Sequence, residues 1–229
     1  AIAIKPDFFE ALYSIGVIYQ EQNLLNDAIK YYEKVISIEP NLAEAHYCLG
    51  DILLRLNKWD DAVKSYEAAL GIKPKLSEAH NNLGIAFKEL GNFDNAVKCY
   101  QMALNINPNY AEALLNIGFI LHKRGKLDES IKYYLQALSI KPDYAEAHNN
   151  LGNLLVDLGQ LDEAVKNFKI AISIKPNYAQ AHNNYGIALD ALGDQSAADK
   201  RYKKAISIKP NYAAAYANHA ELLTDLKQF

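Results

Sequence analysis

Four of the six histidines recur at one spacing, which raises the question of a metal site because imidazole is a common metal ligand. They are His46, His80, His148 and His182, all separated by multiples of 34 residues. In a helical repeat, equivalent residues lie about one helix diameter apart, roughly 10 Å, whereas zinc ligands lie about 2 Å from the ion. The four rings therefore cannot share a metal ion, and we predict that they pack between helices.

No residue pattern in the chain predicts catalysis. Cys48 and Cys99 have no CxxC spacing and no neighbouring histidine, so we expect inert thiols. The GxSxG, P-loop, GxGxxG and HExxH motifs are absent from the sequence. We therefore predict no catalytic residue, no metal and no cofactor, while a longer protein could carry a separate catalytic domain.

Asparagine is the residue whose recurrence has no local explanation. One series is spaced by 34 residues, and a second series directly precedes three of its members. The first series is Asn82, Asn116, Asn150, Asn184 and Asn218, and the second is Asn81, Asn149 and Asn183. Asparagine within a helix costs about 0.6 kcal/mol relative to alanine, or about 3 kcal/mol for five copies. A carboxamide offers a donor and an acceptor together, which match the backbone of an extended peptide. We expect replacement by alanine to keep the helices and to raise their stability.

The elements that carry these residues follow from a 34-residue repeat. All seven prolines keep this interval: Pro6, Pro40, Pro74, Pro108, Pro142, Pro176 and Pro210. Self-similarity at this period is typical of a solenoid. In residues 77–110, the apolar spacing predicts a first helix from Ser77 to Leu90, a left-handed Gly91, and a second helix that ends before Pro108. The fold class is therefore all-α, built from antiparallel helix pairs.

Two capping patterns are also predicted. Asp94 and its counterparts are residues that favour the N-cap of the second helix. Asn41 precedes Glu44 by three residues, which is the spacing of a capping box at the first helix. The same spacing recurs in most repeats.

The residue types at two positions of the repeat make the chain resemble the tetratricopeptide repeat (TPR) family. Position eight of the repeat is Gly16, Gly50, Gly84, Gly118, Gly152 or Gly186, and position twenty-four is Tyr32, Tyr66, Tyr100, Tyr134, Phe168 or Tyr202. The resemblance implies a right-handed superhelical solenoid. It implies repeats at residues 9–42, 43–76, 77–110, 111–144, 145–178 and 179–212, with the tail of a truncated repeat at 1–8 and the first helix of another at 213–229.

The asparagine series, at position six, resembles the asparagine ladder in the TPR half of O-linked N-acetylglucosamine transferases and in related bacterial TPR proteins. The matching runs are Asn81–Gly84, Asn149–Gly152 and Asn183–Gly186. The resemblance implies that these amides face the inner side of the superhelix and hold the backbone of an extended peptide. Neighbours at positions nine and thirteen, such as Asn153 and Lys123, would add side-chain contacts. The implied partner is a protein or peptide segment in an extended conformation. One repeat advances about 10 Å and an extended chain covers about 3.3 Å per residue, so five asparagines would hold roughly a dozen residues.

Other functions are less well supported by the sequence. The clamp that holds chaperone C-terminal tails uses lysine at position five, where this chain has none. A self-assembly module that acts through the ends or the convex face remains an alternative, with end-to-end association of the chain. The net charge of −3 is spread evenly, so we predict no nucleic-acid partner. The longest apolar runs are too short for a membrane span, and nothing indicates secretion, so we expect no membrane partner and a cytoplasmic location.

Overall fold

The chain is an all-α helical repeat array, as predicted. The computed structural model describes residues 7–227, with the surroundings of side chains from residue 8 to residue 225. Over these residues it contains thirteen helices and no strand. The helices are α1 (Asp7–Glu21), α2 (Leu25–Ile38), α3 (Ala43–Arg55), α4 (Trp59–Ile72), α5 (Ser77–Glu89), α6 (Phe93–Ile106), α7 (Ala111–Lys123), α8 (Leu127–Ile140), α9 (Ala145–Asp157), α10 (Leu161–Ile174), α11 (Ala179–Ala191), α12 (Gln195–Ile208) and α13 (Ala213–Lys227).

The helices group into two compact units, residues 1–116 and residues 117–229. In the first unit, α1 packs on α2, α3 on α4 and α5 on α6, and α2 also packs on α3 and α4 on α5. In the second unit, the pairs α9–α10 and α11–α12 pack in the same way, and α12 packs on α13. The predicted tail at 1–8 lies outside the described residues, apart from Asp7 and Phe8, which belong to α1. The division into six repeats and the handedness of the superhelix stay predictions.

A left-handed residue makes each tight turn between paired helices, as predicted for Gly91, whose φ is +75°. Asn23 and Asn57 take the same conformation in the first two repeats, with φ of 61° and 58°. Asparagine tolerates this region better than other residues with a Cβ atom. The turn therefore forms with either residue.

A glycine at position eight lets the paired helices approach until an aromatic ring fills the space between them. A Cβ atom on Gly84 would lie 2.6 Å from Cε1 of Tyr100, and one on Gly186 would lie 2.5 Å from Cε1 of Tyr202. Both distances are shorter than van der Waals contact. The rings of Tyr100 and Tyr202 are almost completely buried. The spacing of glycine and aromatic residues therefore reports close packing within each helix pair.

The predicted N-caps are wrong at most helices. The cap of α6 is Asn92, whose Oδ1 accepts from the amide of Asn95 over 3.3 Å, and Asp94 lies in the first helical turn instead. There its charge is still favourable to the helix dipole. At α3 the cap is Leu42, with no side-chain cap bond, so the capping box of Asn41 and Glu44 does not form.

Two glutamates in the first turn of a first helix pair with the lysine at the end of the second helix of the same repeat. Lys73 forms an ion pair with Glu44, and Lys175 Nζ lies 2.8 Å from Glu146 Oε1. The hydrogen bond from Lys73 holds the pKa of Glu44 below its usual range. These pairs are exposed, so each contributes at most about 1 kcal/mol to folding. In these two repeats the glutamate thus pairs with the lysine that precedes the proline.

Each repeated histidine bonds the carbonyl group of the proline six residues before it. The Nε2 atoms of His46, His80, His148 and His182 lie 2.9–3.0 Å from the carbonyl oxygens of Pro40, Pro74, Pro142 and Pro176. A carbonyl oxygen can only accept, so Nε2 carries the proton. The rings therefore satisfy carbonyl groups that would otherwise lack a partner at the end of a helix.

Candidate functional site

In residues 117–229, the asparagine side chains form a continuous chain of hydrogen bonds, here called the amide relay. Asn218 Nδ2 donates to Asn183 Oδ1 over 3.0 Å, and Asn183 Nδ2 donates to Asn184 Oδ1 over 3.4 Å. Asn184 Nδ2 donates to Asn149 Oδ1 over 3.0 Å, and Asn149 Nδ2 donates to Asn150 Oδ1 over 3.3 Å. Five amides on α9, α11 and α13 are therefore linked in one direction.

A second relay lies in residues 1–116 and ends on a carboxylate. Asn116 Nδ2 donates to Asn81 Oδ1 over 3.5 Å, and Asn81 Nδ2 donates to Asn82 Oδ1 over 3.2 Å. Asn82 Nδ2 donates to Asp51 Oδ1 over 2.9 Å. Tyr66 Oη donates to the same carboxylate oxygen over 2.6 Å.

The carboxylate of Asp51 fixes the direction of this relay. An ionised carboxylate only accepts, so Asn82 must turn its amino group toward Asp51 and its carbonyl oxygen toward Asn81. Burial raises the pKa of Asp51, while the hydrogen bonds from Tyr66 and Asn82 act in the opposite direction. The carboxylate of Asp51 thus fixes the orientation of each amide in the second relay.

The two asparagine positions have different surroundings. The position-five side chains are buried: the exposed fraction is 1% for Asn81, 0% for Asn149 and 3% for Asn183. The sequence predicts that they contact the ligand, but in the structure they are buried and donate to the position-six amides of the same helix, which they orient. At position six, Asn184 is 7% exposed and Asn150 is half-buried.

Position six keeps hydrogen-bonding capacity that the relay does not use. Among the described residues, the Nδ2 atom of Asn150 donates to no acceptor, and the Oδ1 atoms of Asn116 and Asn218 accept from no donor. Asn184 retains one N–H and one lone pair. These unused donors and acceptors are the groups that the candidate site offers to a ligand. A peptide backbone carries both N–H donors and carbonyl acceptors and could bond to them.

A cavity of about 440 Å³ brings together three of the predicted residues, Lys123, Asn153 and Asn184. The Nζ atom of Lys123 lies 5.7 Å from the centre of the Phe119 ring. The rest of the lining consists of His122, Val156, Asp157 and Ile187. A groove of this kind, with polar groups beside apolar ones, suits a side chain and the backbone next to it.

The carboxylate of Asp157 in this cavity has a histidine partner. His122 Nε2 lies 2.7 Å from Asp157 Oδ2. His122 is at position twelve of its helix, and the sequence predicts no role for it. Positions five, nine and twelve share one helix face because they are three or four residues apart, and this spacing is the signal that identifies them.

Two other cavities occupy the corresponding place. One, of about 460 Å³, lies beside α1 and α3 and includes Gln20, Tyr32 and Arg55. The other, of about 530 Å³, lies beside α11 and α13 and includes Asn218, Tyr202 and Ile187. Each lies beside position thirteen of one first helix and position six of the next. The cavities therefore recur with the repeat.

The described residues offer little for catalysis. Among them, no group of three or more His, Cys, Asp or Glu side chains is placed to hold a metal ion. Burial raises the pKa of the Cys99 thiol to about 11, so this thiol stays protonated near neutral pH. Cys48 Sγ lies 3.4 Å from Tyr13 Oη.

Within residues 7–227, none of the helices combines the length and apolar character that crossing a bilayer demands.

Family models identify the class of this protein. Models described as "TPR repeat" match residues 50–91, 118–158 and 152–193, and models described as "Tetratricopeptide repeat" match residues 9–42, 31–64, 77–110, 99–132 and 179–212. The chain therefore belongs to the tetratricopeptide repeat family, whose fold is in general a non-catalytic interaction scaffold. The comparison with curated proteins gave no match.

Solved structures share this fold. The Cut9 and Hcn1 hetero-tetramer of the APC/C contains a chain that is 18% identical, with a TM-score of 0.85 over 97% of this chain and 44% of that one. This protein thus spans less than half of that chain. MamA is 29% identical, with a TM-score of 0.65 over 72% of this chain and 97% of MamA. YrrB, described as a TPR protein with an unusual peptide-binding site, is 23% identical, with a TM-score of 0.59 over 83% of this chain and 97% of YrrB.

Proposed function

We propose that this protein is a scaffold that binds an extended peptide segment of a partner protein along its first helices. The position-six amides would exchange hydrogen bonds with the peptide backbone, and side chains such as Lys123 and Asn153 would contact peptide side chains. This is the asparagine-ladder mode that the sequence resembles. One observation carries the proposal: two of the position-six amides, Asn184 and Asn218, keep unused donors or acceptors and line cavities that recur with the repeat.

The relay supports this proposal because it prepares the amides for binding. A free asparagine side chain loses rotamer entropy when it binds a ligand, about 0.5–1.5 kcal/mol for a flexible group. Asn150 and Asn184 are already held by buried neighbours, so much of that loss occurs on folding. Their unused atoms then present a fixed pattern to the peptide.

The test needs a peptide and a variant that keeps the relay. Twelve-residue peptides selected from a random display library on the whole chain supply the probe. Asn150→Asp retains the oxygen that accepts from Asn149 and removes only the free N–H donors. We expect the selected peptide to bind at least tenfold more weakly, a loss of about 1.4 kcal/mol.

Asn177→Asp adds the same charge at an exposed loop position and is the matched control. A second probe is the same peptide with backbone N-methylation at every third residue, which removes N–H donors and leaves the side chains. Equal affinity of Asn150→Asp and Asn177→Asp, together with unchanged binding of the methylated peptide, would contradict backbone recognition.

A second candidate function, self-association through α1 and α13, rests on exposed apolar side chains. Phe8 is 52% exposed, Tyr216 is 48% exposed and Leu223 is 40% exposed. If these surfaces stack between copies, light scattering detects oligomers that Leu223→Lys abolishes and Asn150→Asp leaves intact. A monomer at about 100 µM, well above micromolar affinities, would argue against this function.

A further inference from the structure

The cavity beside α11 and α13 carries an unbalanced negative charge. Asp190, Glu221 and Asp225 all line it. Among the described residues, none of these three carboxylates forms an ion pair or a hydrogen bond with another side chain. Among the residues whose side chains the structure describes, no lysine, arginine or histidine contributes to the lining. The described lining of the cavity is therefore negatively charged, with no cationic side chain among these residues to offset the charge.

The corresponding cavities are different in this respect. The cavity beside α1 and α3 contains Arg55 along with Glu21. The cavity that contains Asn184 has Lys123 and the pair of His122 with Asp157. Each of these two cavities therefore has a positive group in its lining, so among the three corresponding cavities the excess of negative charge lies at the one that contains Asp190.

A tyrosine hydroxyl group without a partner lies at the same place. Tyr202 is 2% exposed and lines the cavity, and its hydroxyl has no hydrogen-bond partner among the described residues. At the equivalent position Tyr32 donates to Gln20 over 2.8 Å, and Tyr66 donates to Asp51 over 2.6 Å. The hydroxyls of Tyr100 and Tyr134 also lack a partner among these residues, but they are enclosed within the fold. Tyr202 lines the cavity, so its free hydroxyl lies where a ligand can reach it.

The electrostatics of the cavity agree with this geometry. Burial raises the pKa of Asp190, and the negative charges of Asp225 and Glu221 raise it further. Burial, followed by the charges of Asp190 and Glu221, raises the pKa of Tyr202 to about 12. A cation in the cavity would relieve the repulsion among the carboxylates. The carboxylates are not grouped closely enough to hold a metal ion, which favours a larger organic cation.

We propose that the cavity lined by Asp190, Glu221, Asp225 and Tyr202 receives a basic side chain, arginine or lysine, of the bound peptide. The proposal rests on the proposed function, because the basic residue belongs to a peptide whose backbone lies along the position-six amides. Asn218, with its free carbonyl oxygen, lines the same cavity and would accept from the backbone N–H near that residue.

The first test uses a probe with no peptide chain. The whole chain is titrated with Nα-acetyl-argininamide and, separately, with Nα-acetyl-citrullinamide, which has nearly the same shape and no charge. We expect chemical shift changes centred on the three carboxylate residues, with at least fivefold weaker binding of the citrulline compound. The difference should shrink in 1 M salt, where the Debye length is about 3 Å. Equal binding of the two compounds would overturn the proposal.

A matched pair of variants locates the effect. Glu221→Gln with Asp225→Asn removes two charges from the cavity and should abolish the preference for arginine. Asp143→Asn with Asp162→Asn removes two exposed charges from the same unit and should retain it. If both double variants lose the preference to the same extent, the attraction is a general effect of net charge and the proposal is wrong.

The second test separates this proposal from the proposed function. A library-selected peptide that contains arginine is compared with its citrulline form on the wild type and on Asn150→Asp. Loss of affinity on citrulline substitution, in addition to the loss on Asn150→Asp, supports both proposals. If only Asn150→Asp weakens binding, the peptide scaffold stands and the basic-residue cavity is refuted. If only citrulline substitution weakens binding, the cavity stands and backbone recognition by the amides is refuted.

Discussion

Replacement of Asn184 by alanine should destabilise the protein, although the helix propensities alone predict the opposite. The substitution removes an asparagine from a helix interior, which by itself gains about 0.6 kcal/mol. It also removes the donor to Asn149 Oδ1 and the acceptor from Asn183 Nδ2. The sign of the effect therefore depends on the relay.

The magnitude follows from the burial of the two partners. Asn149 is 0% exposed, so its carbonyl oxygen would lose a 3.0 Å bond where water has little access. A buried polar group without a partner costs about 1–3 kcal/mol. The 3.4 Å bond from Asn183 is longer, and its loss adds a smaller amount. After the gain in helix propensity, we expect a net loss of about 1–2 kcal/mol in the free energy of unfolding.

Urea unfolding followed by circular dichroism measures this change, with Asn153→Ala as the control. Asn153 lines the same cavity as Asn184 and has no hydrogen-bond partner among the described residues. Its replacement should therefore leave the protein as stable or raise stability by about 0.6 kcal/mol. A double-mutant cycle with Asn149→Leu isolates the bond, since Leu115 occupies the same repeat position in the fourth repeat. Equal stability of Asn184→Ala and Asn153→Ala would refute an energetic role of the relay.

The remaining predictions concern the buried histidine and two glycines. Burial lowers the pKa of His182, which is 4% exposed, so stability is complete above the unfolded value of about 6.5 and is lost as the pH falls through the lowered folded value. The melting temperature should drop less between pH 7 and pH 5 in His182→Gln than in the wild type. His80→Gln is the control, because His80 makes the same bond to a proline carbonyl. An equal drop in His182→Gln and the wild type would contradict the role of His182. Gly186→Ala should destabilise by about 1–3 kcal/mol because the new Cβ atom would lie 2.5 Å from a tyrosine ring. Gly71→Ala, in open space within a helix, should stabilise by about 1 kcal/mol, and unfolding curves that do not differ in this direction would refute the packing argument.

The helices and turns could be predicted because local chemistry determines them. The first helix was predicted over residues 77–90 and is found at Ser77–Glu89. Gly91 has the predicted left-handed conformation since only glycine or asparagine adopts it cheaply. The N-caps could not be predicted from residue type, because the two-residue turn places Asn92 at the cap, and the same turn places Lys126 there without a side-chain cap bond.

The amide relay could not be predicted from helix periodicity. Its inter-repeat bonds join residues 35 positions apart, such as Asn149 with Asn184 and Asn183 with Asn218. A 34-residue repeat aligns each asparagine with the asparagine at the same position of the next repeat. It does not indicate that the hydrogen-bond partner lies one position further along the chain. Only the packing of consecutive first helices brings position five of one repeat against position six of the next. The doubled asparagines in the sequence were the available signal.

The relay also provides an explanation, other than peptide binding, for the asparagines within the helices. In residues 117–229 the five relay amides cost about 3 kcal/mol in helix propensity. Their four hydrogen bonds contribute about 1 kcal/mol each, or about 4 kcal/mol, which offsets that cost. A peptide is therefore not needed to explain why the amides are tolerated. What the relay does not explain is the free amino group of Asn150, the free carbonyl oxygen of Asn218 and the partly exposed faces that carry them. Because these atoms add no stability within the described structure, a ligand that bonds them would gain the full benefit of amides that folding has already oriented.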